Sequence, residues 1–240
     1  MNRPGLPRII FITGTDTGVG KTLLTGLLLH HLRQRGRHAL AIKPFCSGSG
    51  ADTEFLHAIQ DGELALDEVT HFFFSEPLAP LVAARKHQRS IRLPEVLRRI
   101  ERVTKRCDCL LVEGIGGLLV PLGEGFTVRE LLLKMGCEVI VVSRNRVGTI
   151  NHTLLTGAAL QHAGISEFTT VLMAGKQGDA STSSNRRILA EMLAPNPVFA
   201  IGFLGRNPLR LEALKKTSKK VAETLAQVLE CSNVSALRSL

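Results

Sequence analysis

The stretch Arg8-Ile-Ile-Phe-Ile-Thr-Gly-Thr-Asp-Thr-Gly-Val-Gly-Lys-Thr22 decides how the rest of the chain is read. Four apolar residues, Ile9 to Ile12, predict a short buried strand, and the amphipathic run Leu23 to Leu32 predicts a helix. Between them a Gly-rich turn closes on Gly20-Lys21-Thr22. In that context a GK[ST] triplet reads as a phosphate-binding loop rather than a chance turn with an exposed lysine. Successive backbone N–H groups at the helix start form a positive concavity for phosphate oxygens. Lys21 is placed to reach the β- and γ-phosphates, and the Thr22 hydroxyl suits Mg2+. One position departs from the usual GxxxxGK[ST] form: Thr15 stands where glycine is expected, and the glycine comes one residue earlier, at Gly14. The expected ligand is a nucleoside triphosphate.

A chain of 240 residues has room for one full α/β domain and barely for two. Its hydrophobic content of 44% and charged content of 21% are those of an ordinary globular protein. No apolar run approaches the roughly 20 residues needed to span a bilayer. Met1 to Pro7 is short and polar, without a signal-peptide core, so a cytoplasmic protein is expected. Cys107 and Cys109 form C-x-C without a second Cys/His pair to complete a zinc site, so the five cysteines are expected as buried, reduced thiols. The net charge of +9 raises nucleic acid as a partner. The basic residues are dispersed over expected helix faces, however, and the chain has neither Tyr nor Trp to stack bases, so neither nucleic acid nor membrane is expected as a partner.

Further strands are expected at His38–Ile42, Cys109–Val112, Glu138–Val142, Thr169–Ala174 and Val198–Ile201. Helices are expected at 52–59, 80–85, 93–106, 127–135, 148–163, 185–193 and 208–229, with 66–76 irregular or holding a short helix. Apolar strands without polar alternation, separated by helices, imply a mostly parallel sheet covered on both faces. The fold class is therefore α/β: one doubly wound domain over 1–240, with 231–240 expected as a frayed tail. In such sheets ligands sit at the carboxyl ends of the strands.

Polar residues cluster there. Lys43 follows the second strand and Glu113 follows Cys109–Val112, so both are expected to share a crevice with the phosphate-binding loop. A second lysine near the γ-phosphate would stabilise charge developing in phosphoryl transfer, though a strand-end lysine is also commonly just solvated. Thr22, Asp52 and Glu113 with phosphate oxygens would suit Mg2+, which prefers hard oxygen ligands; Asp52 also reads as a helix N-cap. Gly114, Gly116 and Gly117 either admit a ligand close to the backbone or form a tight turn. Thr17 and Ser47 are candidates to orient a polar acceptor.

Three segments together, Gly14-Thr-Asp-Thr-Gly-Val-Gly-Lys-Thr22, Lys43-Pro-Phe-Cys-Ser-Gly48 and Glu113-Gly-Ile-Gly-Gly-Leu-Leu-Val-Pro121, resemble the dethiobiotin synthetase family, as do Ala79-Pro80 and Asn151-His152. The resemblance covers about residues 8–209. It implies an ATP- and Mg2+-dependent ligase closing the ureido ring of dethiobiotin from 7,8-diaminopelargonic acid and CO2 through a phosphorylated carbamate. Carried over by motif, Lys43, Lys21 and Thr17 are catalytic, and Ser47 and Thr17 contact substrate. Gly18, Val19, Gly20, Lys21, Thr22, Leu23, Asp52, Glu113, Gly114, Ile115, Gly116, Gly175 and Gly202 face the nucleotide, and Thr22, Asp52 and Glu113 serve Mg2+. The family is a homodimer whose substrate site lies at the interface, and Gly148-Thr149-Ile150-Asn151 matches the segment that receives the substrate carboxylate. Many members have Asn where this chain has Gly175 and Pro where it has Gly202, which implies weaker adenine selectivity. A partition or septum-site ATPase switch is the alternative, but that family carries a lysine early in the loop, where this chain reads Thr15-Asp16-Thr17.

Overall fold

The computed structural model describes residues 7–232. In chain order the elements are β1 (Arg8–Gly14), α1 (Lys21–Gln34), β2 (Ala39–Ile42), β3 (Phe45–Ser47), α2 (Ala51–Ile59), α3 (Leu66–Val69), β4 (Phe72–Phe74), α4 (Pro80–Lys86) and α5 (Leu93–Thr104). They continue with β5 (Cys109–Glu113), β6 (Pro121–Gly123), β7 (Phe126–Thr127), α6 (Val128–Met135), β8 (Glu138–Asn145), α7 (Thr149–His162) and β9 (Thr169–Ala174). The last are α8 (Asn185–Met192), β10 (Val198–Ile201), α9 (Leu211–Lys220) and α10 (Ala222–Ser232).

Six strands form one sheet in the order β10-β9-β8-β1-β5-β2, every neighbouring pair parallel. The interior strands are apolar on both faces because helices cover both sides, as continuous runs such as Cys109-Leu-Leu-Val112 require. Register does the positioning. Ile12 lies beside Glu113 and Ile42 beside Val112. The chain ends that leave β1, β2 and β5 therefore reach the same level. α1 packs on β1, β2 and β5, with Leu24, Leu27, Leu28 and Leu29 fully buried.

Several expectations needed correction. Between Phe45 and Phe74 the chain adds a two-stranded parallel ribbon, β3 with β4, with α2 and the short helix α3 connecting its strands. Residues 121–127 form a small hairpin, β6 with β7, that had not been anticipated. Thr127 precedes α6 as its cap, accepting from Arg129 N while Glu130 accepts from Thr127 N. The expected helix 208–229 is two helices broken at Val221; α9 packs on α1, and α10 also reaches β8, β9 and β10. Cys46 and Cys109 are buried, but Cys107, Cys137 and Cys231 are only partly so. No helix among the described residues is long and apolar enough to cross a membrane. The expected frayed tail lies, from residue 233, outside the described residues.

Candidate active site

The loop between β1 and α1 folds back over the helix start. Gly20, the residue that opens α1, has φ 107°, and a Cβ there would meet Met173 Cγ at 3.1 Å, so glycine meets both the conformation and the space. A Cβ on Gly14 would sit 3.0 Å from Lys21 Nζ, which shows how closely the lysine turns back along the loop. Lys21 Nζ donates to the carbonyls of Asp16 (2.8 Å) and Gly116 (2.7 Å), joining this loop to the one after β5. Burial pulls the Lys21 pKa from 10.5 down to about 8, with Glu113 opposing the shift and Lys43 adding to it.

Beside it lies a buried ionic cluster. Lys43 Nζ donates to Asp52 Oδ2 at 2.5 Å and to Glu113 Oε1 at 2.8 Å. The Thr22 hydroxyl donates to the same Glu113 oxygen at 2.7 Å. Burial alone would lower the Lys43 pKa, but Glu113 and Asp52 outweigh it and hold the pKa above its ordinary value. Lys43 is therefore not a solvated strand-end lysine; it is 5% exposed. Asp52 is not a helix N-cap either: α2 opens at Gly50, and Asp52 lies in its first turn with its carboxylate on Lys43.

Sequence reasoning missed what holds Lys43 in place. Its carbonyl accepts from the Thr70 hydroxyl at 2.9 Å, and Thr70 shares a hydrogen bond of 2.7 Å with Thr53, one residue past Asp52. The Lys43 amide donates to Val69 O. Two buried threonines thus lock the end of β2 to α2 and to the turn before β4. Neither lies in a motif, and only their tertiary placement reveals them.

A cavity of about 640 Å3 runs over these groups. Its lining brings together Thr17, Gly18, Val19, Gly20, Lys21, Thr22, Leu23, Lys43, Ser47, Asp52, Glu113, Ile115, Gly116, Gly175 and Gly202. The Ser47 hydroxyl is buried without a hydrogen-bond partner, so it has unspent capacity to orient a polar ligand. Gly114 is not in the lining; it is buried against Phe11. Gly148, Thr149, Ile150 and Asn151 are not in it either. Thr149 is buried, and its hydroxyl is spent on Ser143 at 2.6 Å. Gly148 caps α7 without a side chain. Arg144, Met173, Ala174, Lys176 and, after β10, Phe203 to Arg206 with Pro208 and Leu209 complete the lining. They were not anticipated, because they lie at the ends of β8, β9 and β10 outside any contiguous motif.

The donor set can be tested against Mg2+. Glu113 Oε2 is buried and has no hydrogen-bond partner, next to the Thr22 hydroxyl. An unspent carboxylate oxygen beside a hydroxyl, with Asp52 adjoining, is a hard-oxygen set that fits Mg2+ completed by phosphate oxygens and water. Among the described residues no three His, Cys, Asp or Glu side chains gather as a metal cage, so the fit depends on those added ligands.

A parallel sheet with a Gly-rich loop running into α1, and Lys21 and Thr22 at the start of that helix, defines a P-loop nucleotide-binding protein. A family model described as an AAA domain matches residues 8–209. The ParA family ATPase from Chlorobium tepidum TLS superposes with a TM-score of 0.54 at 12% identity, covering 98% of this chain and 99% of that one. The septum site-determining protein MinD complexed with Mg-ADP from Pyrococcus horikoshii OT3 gives 0.55 at 18%, covering 96% of each. Those likenesses show the fold. The sequence relatives are narrower. An ATP-dependent dethiobiotin synthetase of Anaeromyxobacter sp. (strain Fw109-5) is 39% identical over 80% of this chain and 88% of its own length. That of Bacillus velezensis is 34% identical, covering 81% and 85%. The chain belongs to the dethiobiotin synthetase family.

Proposed function

We propose that the chain is an ATP-dependent dethiobiotin synthetase, a cyclo-ligase of biotin biosynthesis acting in the cytoplasm. It joins 7,8-diaminopelargonic acid and CO2 at the expense of ATP. The observation that carries this is Lys43 held between Asp52 and Glu113, beside the phosphate-binding loop of a chain whose relatives bear that name. An amine of the substrate adds to CO2 and loses a proton, giving a carbamate. A carbamate oxygen attacks the γ-phosphorus, and ADP leaves. The second amine then attacks the carbamoyl carbon and expels inorganic phosphate, which closes the ring.

Each part of the site has a place in that sequence. Backbone N–H groups of Gly18 to Leu23 and the Lys21 ammonium bind the phosphates. Thr22, Asp52 and Glu113 would hold Mg2+, which supplies charge neutralisation at the phosphate oxygens. Lys43 stabilises the carbamate and the anionic mixed anhydride that follows it. Ser47 and Thr17 orient the polar atoms of the diamine. Leu23 and Ile115 line the walls, and Gly175 and Gly202 face the base.

By its family resemblance the segment Gly148–Asn151, which lies outside this chain's cavity, is assigned to the substrate carboxylate of a second copy in a homodimer. Exposed Val147 (71%) and Leu155 (62%) flank it and offer apolar surface for that contact. The test is isotopic. With 13C-bicarbonate, ATP and the diamine, the product must be dethiobiotin heavier by one mass unit. Product lacking the label would overturn the assignment of the carbon source.

A further inference from the structure

One wall of the cavity is built by the ends of β8 and β9 and the segment from Gly202 to Leu209. The polar side chains that line it are Arg144, Lys176 and Arg206; Asn207, in the same segment, is not in the lining, and the other lining positions are glycine, alanine, proline or larger apolar residues. All three polar groups are donors only. None of them forms a hydrogen bond or ion pair with another described residue. Gln177 and Asp179 are not in this lining; they border an adjoining cavity that Arg144, Gly175 and Lys176 also line, and the Asp179 carboxylate accepts from the Val147 amide and from Ser181.

Arg144 is the best placed of the three. Register sets it beside Met173, whose side chain packs against Gly20 of the phosphate-binding loop. Alternation along β8 sends Ser143 to Thr149 and Arg144 to the cavity. The guanidinium lies alongside Gly175: a Cβ there would be 3.4 Å from Nη2 and 3.6 Å from Nε, ordinary contact distances.

We propose that Arg144 reads the nucleotide base, favouring bases that present two adjacent acceptor atoms, the O6/N7 edge of guanine or the N3/O2 edge of cytosine, over adenine. The inference rests on the cavity being a nucleoside triphosphate site. A guanidinium fork pairs with two neighbouring acceptors, whereas adenine offers its N7 acceptor next to an amino donor. The 6-amino group of adenine meets no side-chain acceptor on this wall. ATP is accepted through its phosphates, and GTP and CTP gain the Arg144 contact in addition.

The experiment is equilibrium binding of ATP, GTP, CTP and inorganic tripolyphosphate to the full chain, repeated on Arg144→Ala and Arg144→Lys. The wild type should bind GTP and CTP at least as tightly as ATP. Arg144→Ala should weaken GTP and CTP by about tenfold, within the range of a bidentate guanidinium–base contact, and ATP and tripolyphosphate by no more than about twofold. Arg144→Lys keeps the charge and loses the fork, so it should behave like Arg144→Ala. A wild type preferring ATP by about tenfold or more overturns the proposal. Equal weakening of all four ligands also overturns it, making Arg144 a phosphate contact. Loss of tripolyphosphate binding in the wild type would instead overturn the nucleotide reading itself.

Discussion

At the scale of single residues, the two lysines carry opposite electrostatic loads. Lys43 is paired, and its raised pKa means that its stabilising contribution is complete below its ordinary value of 10.5 and fades only as pH climbs through the folded-state value. Removing it leaves Glu113 and the half-buried Asp52 uncompensated. Lys43→Ala should therefore cost about 3 kcal/mol in urea denaturation, part of it recovered by millimolar Mg2+, and should abolish diamine-dependent turnover. An unchanged urea midpoint would contradict the account of the cluster. Lys21 is the reverse case. Its folded pKa of about 8 lies below 10.5, so the unfolded chain binds more protons between those values. The burial cost of its charge is thus present below about pH 8 and is relieved as pH rises towards 10.5. A bound triphosphate favours the charged form. At pH 9 nucleotide binding should take up close to one proton, and at pH 6.5 almost none. Calorimetry in buffers of different ionisation enthalpy reads this, and buffer-independent heats at pH 9 would refute it.

At the scale of elements, the site depends on where strands stop and what holds their ends. Thr70→Val removes the hydroxyl that satisfies the Lys43 carbonyl and strands Thr53. The expected stability loss is about 1–3 kcal/mol. The expected catalytic effect is a several-fold fall in kcat with little change in KM for ATP, largely restored by Thr70→Ser. A fall in ATP affinity alone would place the threonines elsewhere in the mechanism. Legibility in the sequence follows the same line. The β1–loop–α1 unit could be read because strand, glycines, lysine and helix are contiguous, and Lys43, Asp52 and Glu113 because strand ends in a parallel sheet converge. β3 and β4 were not readable: each has three residues, and in Phe72-Phe73-Phe74 the alternation of buried and exposed faces is hidden by identical side chains. The break at Val221 has no glycine or proline to announce it. Thr70 and Arg144 acquire their places only from register and packing.

At the scale of the whole molecule, one chain supplies the cavity, while the segment assigned to the substrate carboxylate lies outside it. Under the proposed assignment a complete substrate site needs two copies. Sedimentation equilibrium should return twice the chain mass of 26.1 kDa at micromolar concentration. Val147→Glu should weaken the dimer and raise KM for the diamine at least tenfold while leaving ATP binding in place. A monomer with full activity would refute the shared site. The net charge of +9 does not decide the partner, because Lys21 in the P-loop and a cavity wall of three cations already give positive charge a small-molecule use.

Coupling of ATP cleavage to ring closure on a diamine is decided by phosphate release from ATP with Mg2+ and bicarbonate, with and without 7,8-diaminopelargonic acid. Release should require the diamine and match dethiobiotin formed in a one-to-one ratio. Release at the same rate without the diamine would contradict the coupling and leave a P-loop NTPase whose chemistry does not involve a carbamate.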